Sequence, residues 1–360
     1  MCEKGGLLLN ISKNENCAVD IMKYFMSILV IIIHKPILNT DLEFQNYLIG
    51  NVLCSIAVPF FFIASSYFFF SKLERNKSDS GRLLKFEKRL FIMYAIWTVI
   101  YIPCILVKYN TGHYNELTLK LFVGQLITIV KNFFLNASFV HFWYLNTLML
   151  SVAIIYLMYK KLGPKAVFAI CVSVTIALRL LTYMSSMGIS IGQIYTSYVP
   201  SLFRNTLEKG LLSVSIGLLL CKADFSQNRI QKIFILSLSF ISMTACGVFI
   251  YKNDNEIYQT IFYFLVVITS ASVFSLCMNI QLKPKVCYVY MRKASTLIYL
   301  SQLLLMSETF RYLSDLTGIK ALSTSKPLIF FITFLFAHLV SFIIIELSKK
   351  EKLKFLKYLY

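Results

Sequence analysis

The chain has 360 residues, 58% of them hydrophobic, with a mean hydropathy of +0.68 and a formal net charge of +19. Hydrophobicity this far above ordinary usage excludes an average soluble domain and points to a polytopic membrane protein. The charge does not indicate a nucleic-acid partner, because the basic residues alternate from connection to connection, as the positive-inside rule places them, and form no single patch.

Stretches of about 20 mostly apolar residues predict an all-α membrane bundle of ten spans, near 20–38, 46–71, 90–107, 142–159, 164–184, 210–221, 233–251, 257–282, 294–312 and 328–347. One membrane domain is expected over residues 1–360, with a short N-terminal segment 1–19 and a basic tail 348–360. The first span, DIMKYFMSILVIIIHKPIL, carries Lys23 and His34. Charged or titratable groups inside a bilayer are costly and mark function. Eleven residues at about 100° each return to within roughly 20° of the starting direction, so the two side chains share one helical face about 16 Å apart. An enclosed tunnel between them is expected.

The 72–89 connection carries seven basic residues. Grouped with the N-terminal segment, the 160–165, 222–232 and 283–293 connections and the tail KKEKLKFLKYLY, it puts 24 Lys and Arg on one side against 10 on the other. Both termini are therefore expected in the cytoplasm, with the tail and the 72–89 connection lying against anionic lipid. Outside, Lys120, Gln125, Thr128 and Lys131 recur among apolar residues of the 108–141 connection, which predicts an interfacial or re-entrant amphipathic helix. The other long outer connection, 185–209, holds Gly188, Gly192 and Pro200 before LFRNTLEKG. This topology places His34, His141, Arg179, Arg204, Glu308 and Arg311 in or near the outer half, which predicts a polar cavity open to the exterior. His338 reads as a packed, hydrogen-bonded residue. Nine cysteines without a CxxC pair or a His partner at ligand spacing give no sign of a metal site or a disulfide framework.

DIMKYFMSILVIIIH resembles the first-span signature of the acyltransferase-3 family, in which a basic residue precedes a histidine by eleven positions. Three more stretches are similar to that family in order and spacing. They are Ile56–Phe70 (IAVPFFFIASSYFFF), His141–Leu145 (HFWYL) and Phe203–Gly217 (FRNTLEKGLLSVSIG), the last as in members related to the membrane domain of vancomycin-resistance serine racemases. The resemblance implies a bacterial multi-pass enzyme of the cell membrane. Such an enzyme moves an acyl group, commonly acetyl, from cytoplasmic acetyl-CoA or another acyl-CoA to an envelope glycan or glycolipid outside, as in O-acetylation, without metal or nucleic acid.

In family terms Lys23 stands at the basic position, facing the donor's phosphates, and His34 at the catalytic histidine, where a neutral imidazole suits deprotonation of an acceptor hydroxyl. His141, Arg179, Arg204 and Glu308 are expected to contact the acceptor. The chain departs from the family pattern at three places. Lys23 stands where Arg is usual, Ser65-Ser66 where Ser-Gly is usual, and Gln302, in IYLSQ, where many relatives carry His. A transporter of a small amino acid such as serine, or a catalytically silent relative, are the alternative readings.

Overall fold

The computed structural model describes residues 16–75, 81–110, 119–223, 225, 228–253 and 255–360, the side chains of 107–122 excepted. Residues 1–15 of the N-terminal segment, 76–80 of the basic connection and the Lys120 side chain therefore lie outside the described residues. The described chain is helical, without strands.

Helix α1 runs Cys17–His34 and opens on Asn16, whose side chain accepts from the Val19 N–H at 3.1 Å and satisfies one of the first-turn donors. A continuous helical run over 43–75 follows. It begins as Glu43–Tyr47, widens into a π-helix at Leu48–Leu53, tightens to a 3₁₀ turn at Cys54–Ile56 and becomes α2 at Ala57–Arg75. Pro59 sits in the first turn of α2, where a missing N–H is tolerated, and the change of helix type falls just before it.

The chain continues through α3 (Arg82–Asn110), α4 (Leu119–Leu135), α5 (Trp143–Tyr159) and α6 (Pro164–Ser186). Next come α7 (Ser190–Tyr198), the short helix Ser201–Asn205, a second π-helix at Thr206–Gly210 and α8 (Leu211–Leu220). Helices α9 (Arg229–Lys252), α10 (Glu256–Met278), α11 (Val286–Ser301), α12 (Ser307–Thr317) and α13 (Lys326–Leu347) complete the bundle, and a 3₁₀ segment, Glu351–Leu359, ends it.

Among the described residues, eight helical stretches are long and apolar enough to cross a membrane. The sixth and ninth expected spans are helical but fall outside that class. One is broken by the π-helix before α8, and the other is α11, which ends in a 3₁₀ turn at Gln302–Leu304. Both are interior helices: α11 packs on α1 and α13, and α8 on α2 and α6. Helices α6, α9 and α13 form the perimeter, with only 17%, 17% and 22% of their apolar windows buried, and leave large side chains such as Ile176, Phe234 and Leu339 for hydrocarbon.

Close approach of α2 and α8 depends on one glycine. A Cβ on Gly217 would lie 1.9 Å from Ser66 Oγ and 2.7 Å from the Ile63 carbonyl oxygen. Ser66 bonds back to the Phe62 and Ile63 carbonyls at 2.8 and 3.1 Å, so its extra side chain is housed within its own helix. The room for it comes from Gly217 on the facing helix.

The end of the tail docks on the bundle. Trp97 Nε1 donates to the Leu359 carbonyl at 3.1 Å, the Tyr360 hydroxyl meets Ser348 Oγ at 2.9 Å, and Leu359 is buried. Lys352, Lys354 and Lys357 stay exposed while the last two residues dock, so the end of the tail is tied to the bundle and its charged side chains are left outside it. His338 accords with its reading, with Nδ1 against the Phe334 carbonyl at 2.7 Å and Nε2 against the Tyr24 hydroxyl at 2.8 Å.

Candidate active site

A cavity of about 980 Å³ opens at the basic end of the bundle. Its wall is assembled from the starts of α1 and α3, the end of α2, one face of α11 and the tail. Eight cationic side chains line it: Lys23, Lys72, Arg82, Lys85, Arg89, Arg292, Lys293 and Lys357. Among the described residues, the one carboxylate side chain in the lining is Asp20, 3.7 Å from Arg292. Lys23 lies within electrostatic reach of Asp20, and its ammonium is 4.8 Å from the centre of the Phe68 ring. The basic 72–89 connection, expected against lipid, supplies four of the eight cations, so at least these face the cavity.

The lining follows α11 from Arg292 to Leu300, a rise of about 12 Å. Inward the wall changes from cations to Phe61, Ser65, Tyr144, Leu145, Tyr299 and Leu300. Phe61, Tyr144 and Tyr299 contact one another, with ring centres 5.5 to 6.2 Å apart, and Ser65 Oγ lies 3.3 Å from the Tyr144 hydroxyl. This aromatic layer closes the inner end.

His141 lies immediately beyond that layer. It is 1% exposed, Tyr299 donates its hydroxyl to the His141 carbonyl, and the two rings meet edge to face at 5.6 Å. The break in α11 leaves the Leu300 carbonyl without a continuing helix. Tyr101 donates to it at 2.8 Å, and His141 Nε2 lies 3.2 Å from it. A carbonyl only accepts, so Nε2 carries the proton and Nδ1 is a lone pair, buried and without a hydrogen-bond partner. His141 is thus held in one tautomer.

His34 ends α1 and is near enough to His141 for their charges to interact. It is not among the residues that line the basic cavity. The expected tunnel therefore reaches from Lys23 to Tyr299 and Leu300 and stops at the aromatic layer before His34. Beside His34, Lys35 is 7% exposed, faces the Phe310 ring at 5.3 Å and lies within electrostatic reach of Glu308. Glu308 pairs with Arg311 at 3.3 Å, so its observed contacts are with Lys35 and Arg311 at the far end of α1.

Arg179 and Arg204 do come together, in a separate cluster. Arg179 Nε is 4.0 Å from Glu208, its guanidinium stacks 4.6 Å from the Tyr263 ring centre, and the Tyr195 hydroxyl donates to Glu208 at 2.5 Å. Lys209 faces the Trp143 ring at 5.0 Å and lies within electrostatic range of both arginines. The 185–209 connection builds this by folding back: a Cβ on Gly192 would be 2.3 Å from Ser185 N and 2.5 Å from the Leu181 carbonyl oxygen, so only glycine lets α7 return along α6 with Tyr195. Glu208 and Lys209 lie in the FRNTLEKGLLSVSIG stretch, whose span begins at 210 or nearer Ser201, and neither is among the expected acceptor contacts. Their adjacency to the apolar run LLSVSIGLLL is the signal that would have found them.

Gln302 is fully buried, with Nε2 donating to the Tyr299 carbonyl at 3.2 Å. It braces the aromatic layer from the side of α11.

Comparison with known proteins agrees with this architecture. The family model described as "Acyltransferase domain" matches residues 17–346, and the chain belongs to that acyltransferase-3 family. It is a multi-pass membrane acyltransferase in general terms. Among curated proteins, it is 24% identical over 292 residues to an "Amino-acid racemase" of Enterococcus faecalis, covering 76% of this chain and 39% of that protein. It is also 26% identical over 154 residues to the "Serine/alanine racemase" of Enterococcus gallinarum, covering 41% of this chain and 21% of that protein. The chain thus spans well under half the length of these relatives. No solved structure matches it.

Proposed function

We propose that the protein transfers an acyl group, acetyl in the simplest case, from an acyl-CoA held in the basic cavity to a hydroxyl of an envelope glycan or glycolipid on the other side of the membrane. The observation that carries this reading is the cavity itself. Eight cations against one carboxylate suit a donor with several phosphates, and the narrowing toward an apolar, aromatic end suits the uncharged arm that carries the thioester. On this reading the basic end faces the cytoplasm of a bacterial cell.

Lys23, Arg89 and their neighbours hold the phosphates. Lys23 acts as a point charge, without the bidentate fork of an arginine. The acyl-bearing sulfur passes the layer of Phe61, Tyr144 and Tyr299 to reach the histidines, and rotation of those rings opens the way. His34 in its neutral form takes the proton of the acceptor hydroxyl as that oxygen attacks the thioester carbonyl. The carbon–oxygen bond forms, the carbon–sulfur bond breaks, and the imidazolium returns its proton to the departing thiolate. His141, with its tautomer fixed by Leu300, offers its Nδ1 lone pair to a second, neighbouring hydroxyl of the acceptor and so orients the one that reacts. No metal is called for, since the thioester is already activated.

The reading is tested by incubating purified protein in lipid with labelled acetyl-CoA and envelope material, and measuring label in the acceptor. Label transferred by wild type supports it. Serine uptake by proteoliposomes without any label transfer moves the assignment to transport, the activity expected from the alternative reading of the sequence.

A further inference from the structure

Among the described residues, the cluster around Arg179 holds more positive charge than its one carboxylate neutralises. Arg179, Arg204 and Lys209 lie within electrostatic range of one another, with Glu208 as the carboxylate between them, which leaves an excess of two positive charges. Arg179 sits seven residues inside the end of α6, roughly 10 Å along its axis. There the dielectric is low and clustered like charge is costly. Arg179 Nε is buried and without a hydrogen bond, and Arg204 spends its Nε on the Val199 carbonyl at 3.2 Å.

The backbone is shaped to keep this arrangement. The π-helix at Thr206–Gly210 inserts an extra residue, so Glu208 turns to Arg179 on α6 while the next residue, Lys209, turns to Trp143 on α5. Such bulges recur at functional sites. Gly210 fixes its position, since a Cβ there would lie 2.1 Å from Ser151 Oγ. Trp143 and Tyr263 add flat aromatic rings beside Lys209 and Arg179. Aromatic faces next to guanidinium and ammonium donors suit a sugar that bears an oxyanion.

We infer that the cluster of Arg179, Arg204 and Lys209 is an oxyanion subsite, and that the ligand it holds carries a phosphate or carboxylate on or beside a sugar ring. This rests on the proposed acceptor role of Arg179 and Arg204 and narrows it from any hydroxyl compound to an anionic one. The oxyanion has two available sources, the acceptor itself and the headgroup of an anionic lipid.

The experiment measures binding of glucose 1-phosphate, with glucose as the uncharged control, to the full-length protein in phosphatidylcholine nanodiscs without acyl donor and with excess free coenzyme A occupying the basic cavity. Wild type should bind the phosphate about tenfold or more tightly than glucose, the worth of one charge-assisted hydrogen bond. Lys209→Gln should lose that preference, and Arg89→Gln, in the basic cavity, should keep it. Unliganded melting of each variant checks that the bundle is intact, and Lys209→Met serves where Gln disturbs it. In discs that also contain phosphatidylglycerol, displacement of the sugar phosphate from wild type assigns the oxyanion to a headgroup, and unchanged binding assigns it to the acceptor; either outcome keeps the subsite. Equal affinity of wild type for glucose and its phosphate, or a preference kept in Lys209→Gln, overturns the inference. Because no acyl donor is present, failure of acyl transfer leaves the result standing.

Discussion

Tyr299 forms part of the inner wall of the basic cavity and donates its hydroxyl to the backbone carbonyl of His141, so one side chain both closes the cavity and anchors the histidine behind it. Gln302 steadies Tyr299 in turn. Replacing Tyr299 with Phe removes the anchor and keeps the ring. Acyl transfer is expected to fall while acyl-CoA binding stays within about twofold, since only one neutral hydrogen bond, about 1 kcal/mol, is lost and it lies beyond the cavity. Calorimetric binding of acetyl-CoA beside transfer rates checks the split.

Donor affinity should follow the cations of the cavity. Lys23→Ala and Arg89→Ala are each expected to raise KM for acyl-CoA about tenfold or more, the scale of a charge-assisted hydrogen bond, with a smaller change in kcat. The deficit should shrink as salt is added, because screening already weakens the same attraction in wild type. An unchanged KM in both variants would remove the donor from this cavity.

The tail offers a sharper test of its placement. Lys357→Glu reverses a charge in the cavity lining, so coenzyme A binding should weaken. If the tail instead lay on the bilayer, coenzyme A affinity would not respond, and only binding to anionic vesicles would change.

Gly217→Ala should destabilise the protein by about 1–3 kcal/mol, as forced overpacking does. Adding Ser66→Gly removes the 1.9 Å conflict but leaves the Ile63 carbonyl at 2.7 Å and the Tyr67 nitrogen at 2.9 Å, so rescue should be partial. Thermal melting in detergent measures both. Complete rescue would mean that the backbones of α2 and α8 are not in the contact described.

Much of the bundle was legible because span length and charge alternation are one-dimensional signals. The segments Lys326–Leu347 and Glu256–Met278 are plain apolar runs; the expected 328–347 agrees with the first within two residues, and the expected 257–282 starts within one residue of the second and overruns its end by four. The sixth and ninth spans blurred because their apolar runs are interrupted, by a π-helix around Glu208 and by the 3₁₀ turn at Gln302. Among the site residues, Lys23 and Arg179 declared themselves as charges in apolar runs. The remaining cations of the basic cavity did not, because Lys72, Arg89, Arg292 and Lys357 are ordinary connection residues until the fold brings four distant segments to one opening. Glu308 was grouped with the arginines by depth alone, and depth does not say which side of a bundle a helix faces.

The account rests on His34 as the base. Since a base works only unprotonated, transfer should rise with pH as the imidazole loses its proton and level off once it is neutral. The most direct measurement is transfer of labelled acetyl from acetyl-CoA to envelope material by wild type and His34→Ala, both shown to be folded in the membrane. The account predicts label in the acceptor with wild type and none above background with His34→Ala, whose acetyl-CoA binding should be retained. Undiminished labelling by His34→Ala would contradict it.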